Sequence, residues 1–138
     1  MLGEGDRLPA VTLLDDRGET VTTTDLLGGP LVLYFYPKDD TPGCTSEASQ
    51  FRDVYAQFEA KDARVVGVSR DSVESHRRFK TKYSIPFPLL ADTDSKLYQA
   101  LGVNSRATFL IDGEGTIVKV WPKVNVNEHA EDVLGSLP

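Results

Sequence analysis

Residues 31–36 read LVLYFY, six apolar side chains in a row. A globular helix runs to about ten residues or more, and a strand with one wet face alternates with polar residues. A run this short and this uniform suits a strand buried on both faces. The residues after it turn the chain at once. Thr41 is a good N-cap and Pro42 belongs at the first helical position, so a helix is expected to open there. Its apolar positions Cys44, Ala48, Phe51, Tyr55 and Phe58 recur at intervals of four and three and share one inward face.

The rest of the chain adds layers around this strand–helix unit. Residues 11–24 read as two short strands about a turn at Asp16–Arg17–Gly18, and 63–69 (ARVVGVS) as a second buried strand. The stretch Asp71-Ser-Val-Glu74 resembles a capping box opening a helix that carries Phe79 and Tyr83 and ends at Ile85–Pro86–Phe87–Pro88. Residues 84–105 read as irregular apart from a short helix over Lys96–Leu101. Then 107–112 and 116–121 form a hairpin about the turn DGEG, and a last helix starts near Asn127. The order is a hairpin, β-α-β-α, an irregular insert, then β-β-α. Strands joined through helices pair in parallel with right-handed crossovers, which makes an α/β fold: a central mixed sheet flanked by helices, the thioredoxin arrangement with an amino-terminal β-hairpin extension.

Length and charge bound the function. The 138 residues are expected to form a single domain, 1–138, with a proper core. A formal charge of −6 speaks against non-specific binding to nucleic acid or anionic membrane. The opening MLGEGDRLPA has no basic or apolar signal region, and LVLYFY is far too short to span a membrane. A soluble, cytoplasmic protein is expected.

Cys44 is the one cysteine of the chain. If the helix begins at Thr41, this thiol lies in the first turn, where unpaired N–H groups and the positive end of the helix dipole favour a thiolate. A small buried residue is the bland alternative, but a flanking Gly43, a nearby proline and a Thr one turn back are poor core packing and good thiolate chemistry. Thiolate formation alone does not make an efficient catalyst, so donors must be aimed at the transition state. Thr41 could donate its hydroxyl to an incoming oxygen, and Gly43 leaves the approach uncrowded. Pro37 could wall the sulfur from bulk water. Arg106 precedes the strand ATFLID and in a parallel sheet would reach the neighbouring loop with a permanently charged fork. Other features read blandly: His76 as a surface residue beside Arg77 and Arg78, His129 as structural, Lys38-Asp39-Asp40 as a solvated loop, Trp121 as packing. One Cys and two distant His match no metal-ligand spacing, so no metal or cofactor is expected.

Pro37-x-x-x-Thr41-x-x-Cys44, within "LYFYPKDDTPGCTSEA", resembles the active-site signature of peroxiredoxins, and specifically the Q-type, or bacterioferritin-comigratory, subfamily. The similarity extends through "GDRLPAVTLLDDRGETVT", "GVSRDS", "FPLLAD", "RATFLID" and "NEHAEDVL". It implies a thiol peroxidase acting on hydrogen peroxide and organic hydroperoxides. Cys44 would be the peroxidatic cysteine, Thr41, Pro37 and Arg106 its pocket, and Glu47 a group that orients an arginine or backbone. Many Q-type members place a resolving cysteine where this chain has Ser49, and 45–138 holds no cysteine. The resemblance therefore implies a one-cysteine cycle completed by an external thiol (thioredoxin, glutaredoxin or a low-molecular-weight thiol), in a monomer or homodimer. The rival reading is a thioredoxin-fold redox sensor or binding module with slow Cys44 oxidation. A disulfide oxidoreductase fits less well, because C-x-x-C is missing and Ala107 stands where thioredoxins usually place a proline.

Overall fold

The computed structural model describes residues 1–137; residue 138, the last of the expected domain, lies outside the described residues. Seven strands form one sheet: β1 (Thr12–Asp15), β2 (Thr20–Thr22), β3 (Leu31–Phe35), β4 (Arg64–Ser69), β5 (Leu89–Ala91), β6 (Ala107–Ile111) and β7 (Ile117–Trp121), in the spatial order β2-β1-β5-β4-β3-β6-β7. The helices are α1 (Pro42–Asp53), α2 (Tyr55–Glu59), α3 (Val73–Tyr83), α4 (Lys96–Leu101) and α5 (His129–Gly135), with a short 3-10 turn at Thr23–Leu26.

The apolar run is the central strand, and its side chains divide between two cores as a period of two requires. Leu31, Leu33 and Phe35 pack with Leu97, Tyr98 and Leu101 of α4. Val32, Tyr34 and Tyr36 pack on the other face with Ala48 and Phe51 of α1, Phe58 of α2, Phe79 of α3 and Val133 of α5. None of the six is more than 1 % exposed. Layers on both faces are what the run required.

Three differences from the sequence reading have plain causes. The segment read as irregular contains β5, only three residues long, which pairs parallel with β4 and antiparallel with β1. Through β5 the amino-terminal hairpin is a continuation of the main sheet, secured to α3 by Lys80 on Asp16 and Arg77 on the Asp16 and Arg17 carbonyls. The helix expected to run to Phe58 breaks at Val54, whose φ of −112° and ψ of 10° leave the helical region. Phe51 and Phe58 still face one core, so the apolar spacing survives the break. The cap of α3 is Ser72, accepting from the Ser75 N–H at 3.1 Å, one residue later than the predicted box at Asp71.

β6 does not extend the parallel part of the sheet. It runs antiparallel to β3, with Phe35 opposite Ala107, and antiparallel to β7. That direction places the start of β6 beside the end of β3, and Arg106 with it.

Candidate active site

Three segments meet at the carboxyl end of β3: the loop 36–41, the first turns of α1, and the residue leading into β6. The helix ladder of α1 begins with the Thr45 N–H donating to the Thr41 carbonyl at 2.8 Å, so the N–H groups of Gly43 and Cys44 precede it. Cys44 occupies this turn and is 1 % exposed. Arg106 Nη2 donates to its Sγ at 3.2 Å. The neighbour that delivers Arg106 is thus an antiparallel strand, not the parallel one expected.

Glu47 lies one turn beyond Cys44 on the same inward face and accepts from Arg106 Nη1. Burial pushes the Glu47 carboxyl up to about 7, while the Arg106 charge and hydrogen bond pull it down. Its Oε2 has no partner among the described residues. One arginine fork therefore joins the sulfur to a carboxylate that sits almost fully out of water. Gly43 faces the same fork: a Cβ there would lie 3.6 Å from Arg106 Nη2, ordinary contact, so the glycine leaves open space above the guanidinium.

Thr41 is the N-cap by backbone geometry, yet its side chain makes no capping bond. The hydroxyl turns back and donates to the Lys38 carbonyl at 2.9 Å. Its hydroxyl proton is thereby engaged, where a donor free for an incoming oxygen was expected. Pro37 is exposed and stands two residues after the end of β3. Arg106 contacts both Cys44 and Glu47; Thr41 and Pro37 lie in the loop that leads into α1.

The loop is solvated at Lys38 and Asp40, as the sequence suggests, but not at Asp39. Asp39 is buried and accepts from Tyr36 Oη at 2.6 Å, Ser75 Oγ at 2.8 Å and His76 Nδ1 at 2.7 Å. His76, read as a surface residue, is 0 % exposed. A signal was present: His76, Phe79 and Tyr83 follow the three–four spacing of one helix face. Asp39, Asp71 and His76 bring ligand-type atoms within 4.8 Å of one another. Hydrogen bonds within the protein already engage each residue, Asp71 Oδ2 accepting from the Asp39 N–H and Ser69 Oγ. His129 is buried against Phe51 and Trp121, shares a 2.7 Å hydrogen bond with Thr108 Oγ1, and is pushed down to about 4 by burial, so its ring is neutral at pH 7. Among the described residues no helix is long and apolar enough to cross a membrane.

Known proteins resemble this chain in sequence and fold. Residues 5–120 match the AhpC/TSA family. Peroxiredoxin Bcp of Bacillus subtilis (strain 168) is 45 % identical over 146 residues, spanning 96 % of this chain and 93 % of that protein. Chloroplastic peroxiredoxin Q of Sedum lineare is 42 % identical over 126 residues, 86 % of this chain and 68 % of that one. Among solved structures, a cysteine-to-serine variant of Xylella fastidiosa PrxQ matches with a TM-score of 0.95 at 39 % identity, covering 99 % of this chain and 96 % of that one. The bacterioferritin comigratory protein of Xanthomonas campestris, studied for alkyl peroxide reduction, matches with a TM-score of 0.89 at 38 % identity, covering 96 % and 97 %. Sequence and thioredoxin-like architecture agree over nearly the whole chain, which therefore belongs to the AhpC/TSA family as a peroxiredoxin of the Bcp and Q kind.

Proposed function

We propose that Cys44 is the peroxide-reactive residue of this peroxiredoxin, with Arg106, Thr41 and Pro37 completing its pocket and Glu47 orienting Arg106. The observation that carries this reading is the 3.2 Å hydrogen bond from Arg106 to Cys44 Sγ in the first turn of α1. A guanidinium stays charged at any working pH, so it favours negative charge on the sulfur and remains a donor as the reaction moves that charge away.

The Cys44 thiolate attacks the terminal oxygen of a hydroperoxide. The S–O bond forms as the O–O bond breaks, and the departing alkoxide or hydroxide takes a proton from solvent to leave as alcohol or water. Cys44 remains as a sulfenic acid, oxidised by two electrons. Arg106 and the Cys44 N–H stabilise the departing charge, while Thr41 Oγ accepts from the hydroperoxide O–H and aligns it. Hydrogen peroxide and alkyl hydroperoxides are both substrates on this reading; the Xanthomonas relative was studied for the latter.

The 138 residues hold one cysteine, so the sulfenic acid is reduced from outside. A first external thiol displaces water to form a mixed disulfide, and a second thiol releases Cys44 and leaves as the external disulfide. Thioredoxin, glutaredoxin or a low-molecular-weight thiol can fill that role.

The test is the rate at which one equivalent of hydrogen peroxide oxidises the reduced protein, followed by intact mass and a sulfenic-acid trap. The expected result is gain of one oxygen at Cys44, abolished in Cys44→Ser and slowed about 10²–10³-fold in Arg106→Ala. A rate matching a free thiol and indifferent to Arg106 would defeat this reading in favour of a slow redox sensor.

A further inference from the structure

Two buried histidines near the site are left unused by the peroxide chemistry, and of these His76 is the one bonded to the loop before Thr41. Its Nε2 lies 2.9 Å from the Leu90 carbonyl oxygen, and its Nδ1 lies 2.7 Å from Asp39 Oδ2. A carbonyl oxygen only accepts, so Nε2 carries a proton. Asp39 also accepts from the Tyr36 and Ser75 hydroxyls, so ring and carboxyl are joined inside one hydrogen-bonded cluster, with His76 0 % and Asp39 7 % exposed. The titratable groups around it are Asp39 and Tyr36 from the β3 end and Asp71 from the turn before α3, which bonds the Asp39 N–H at 2.8 Å. Burial raises the Tyr36 hydroxyl well above its ordinary range, so it stays a donor to Asp39.

What this pair holds is the loop before Thr41. Asp40 has a φ of +58°, a left-handed conformation uncommon outside glycine, immediately before the helix N-cap. The backbone is kept there by ties to α3 on both sides: Ser75 and His76 on Asp39, and Lys82 Nζ at 2.7 Å and Tyr83 Oη at 2.5 Å on Asp40. The second pair of ties is exposed and the first is buried, so the first is the one solvent does not weaken. Removing it frees Thr41 and the first turn of α1 together.

We propose that Asp39 and His76 are positioning residues for the peroxide reaction: their buried hydrogen-bonded pair anchors residues 37–41 to α3 and thereby sets the place of Thr41 and of the helix turn bearing Cys44. This rests on the reading of Cys44 as the peroxide-reactive thiol. Misplacement of a reacting group by about 1 Å costs about 100-fold in rate, which sets the scale of the effect.

The experiment compares, in the reduced full-length protein, single-turnover oxidation of Cys44 by hydrogen peroxide with its alkylation by iodoacetamide. Alkylation needs the thiolate but not the aligned hydroperoxide. Asp39→Ala is expected to slow oxidation about 100-fold and alkylation by less than about 3-fold. Should Asp39→Ala not fold, His76→Phe, which fills the volume and removes both ring donors, carries the same expectation. Asp39→Asn can donate its amide to a neutral His76 and keep the geometry, so it is expected to restore most of the oxidation rate. An Asp39→Asn protein as slow as Asp39→Ala, or an oxidation rate unchanged in Asp39→Ala or His76→Phe, overturns the positioning role. A wild-type protein that reacts like a free thiol would instead defeat the assignment of Cys44, a result the variants cannot mimic.

Discussion

Glu47 carries the electrostatic cost of this site, and the cost has a pH signature. In the unfolded chain its carboxyl releases a proton near 4.5; in the native protein burial holds the proton to about 7. Between those values the native state binds more protons than the unfolded state, so the free energy of unfolding falls as pH rises, and the loss is complete above about pH 7. The full contribution is on the order of 3 kcal/mol. Urea unfolding at pH 5 and pH 8 should show that loss in the wild type and not in Glu47→Gln; equal losses in both would mean that Glu47 is ionised throughout. At this scale the sequence was legible where chemistry is local. Cys44 and Gly43 sit in one helix turn and their positions in the sequence put them together; Glu47, one turn on, came from the family resemblance. Asp39 and His76 lie 37 positions apart and meet only because α3 folds back over the loop, so charge composition made both look solvated. Thr41 was found, but which way its hydroxyl points depends on the Lys38 carbonyl, a backbone group whose direction no residue type announces.

Among the strands, β4 is closely packed at Gly67. A Cβ at Gly67 would lie 2.9 Å from Leu89 Cδ2 and 3.0 Å from the Tyr34 ring and hydroxyl. Tyr34 is fully buried and stacks on Phe51 of α1 at 4.8 Å, so it has nowhere to yield. Gly67→Ala should cost about 1–3 kcal/mol, measured by urea unfolding, and should loosen α1 through Tyr34. A neutral substitution would mean that the three strands can part without penalty. Phe51→Ala removes a ring lodged among Tyr34, Phe58, Phe87 and His129, with an expected loss of about 3–5 kcal/mol by the same method. Long periodic segments declared themselves: β3, β4, α3 and the β6–β7 hairpin fall close to where their patterns put them. The strand β5 did not, because three residues are too few to show a period and its pairing partners, β1 and β4, lie far from each other in the chain. The break at Val54 was hidden for the opposite reason, since the apolar spacing continues straight across it.

For the molecule as a whole, burial of Cys44 sets the terms of its own reduction. A sulfur that is 1 % exposed offers no line of attack to a protein thiol, so the first turns of α1 must open before the sulfenic acid is reduced. The reduction rate should therefore rise with thiol concentration and then level off at the rate of opening; a rate that stays proportional to thiol over the whole range would show the sulfur already accessible. The resemblance read from the sequence covered fold and family, but the direction of β6 came out only in three dimensions. That direction also has a consequence for how the chain is born. Cys44 and Arg106 are 62 positions apart, and a ribosome adding about 5–20 residues per second exposes the cysteine roughly 3–12 s before the arginine has been made. On the role proposed for Arg106, Cys44 is an ordinary thiol through that interval and gains its chemistry only when β6 closes against β3. Reactivity toward peroxide would then be itself a report that synthesis and folding of the sheet are finished.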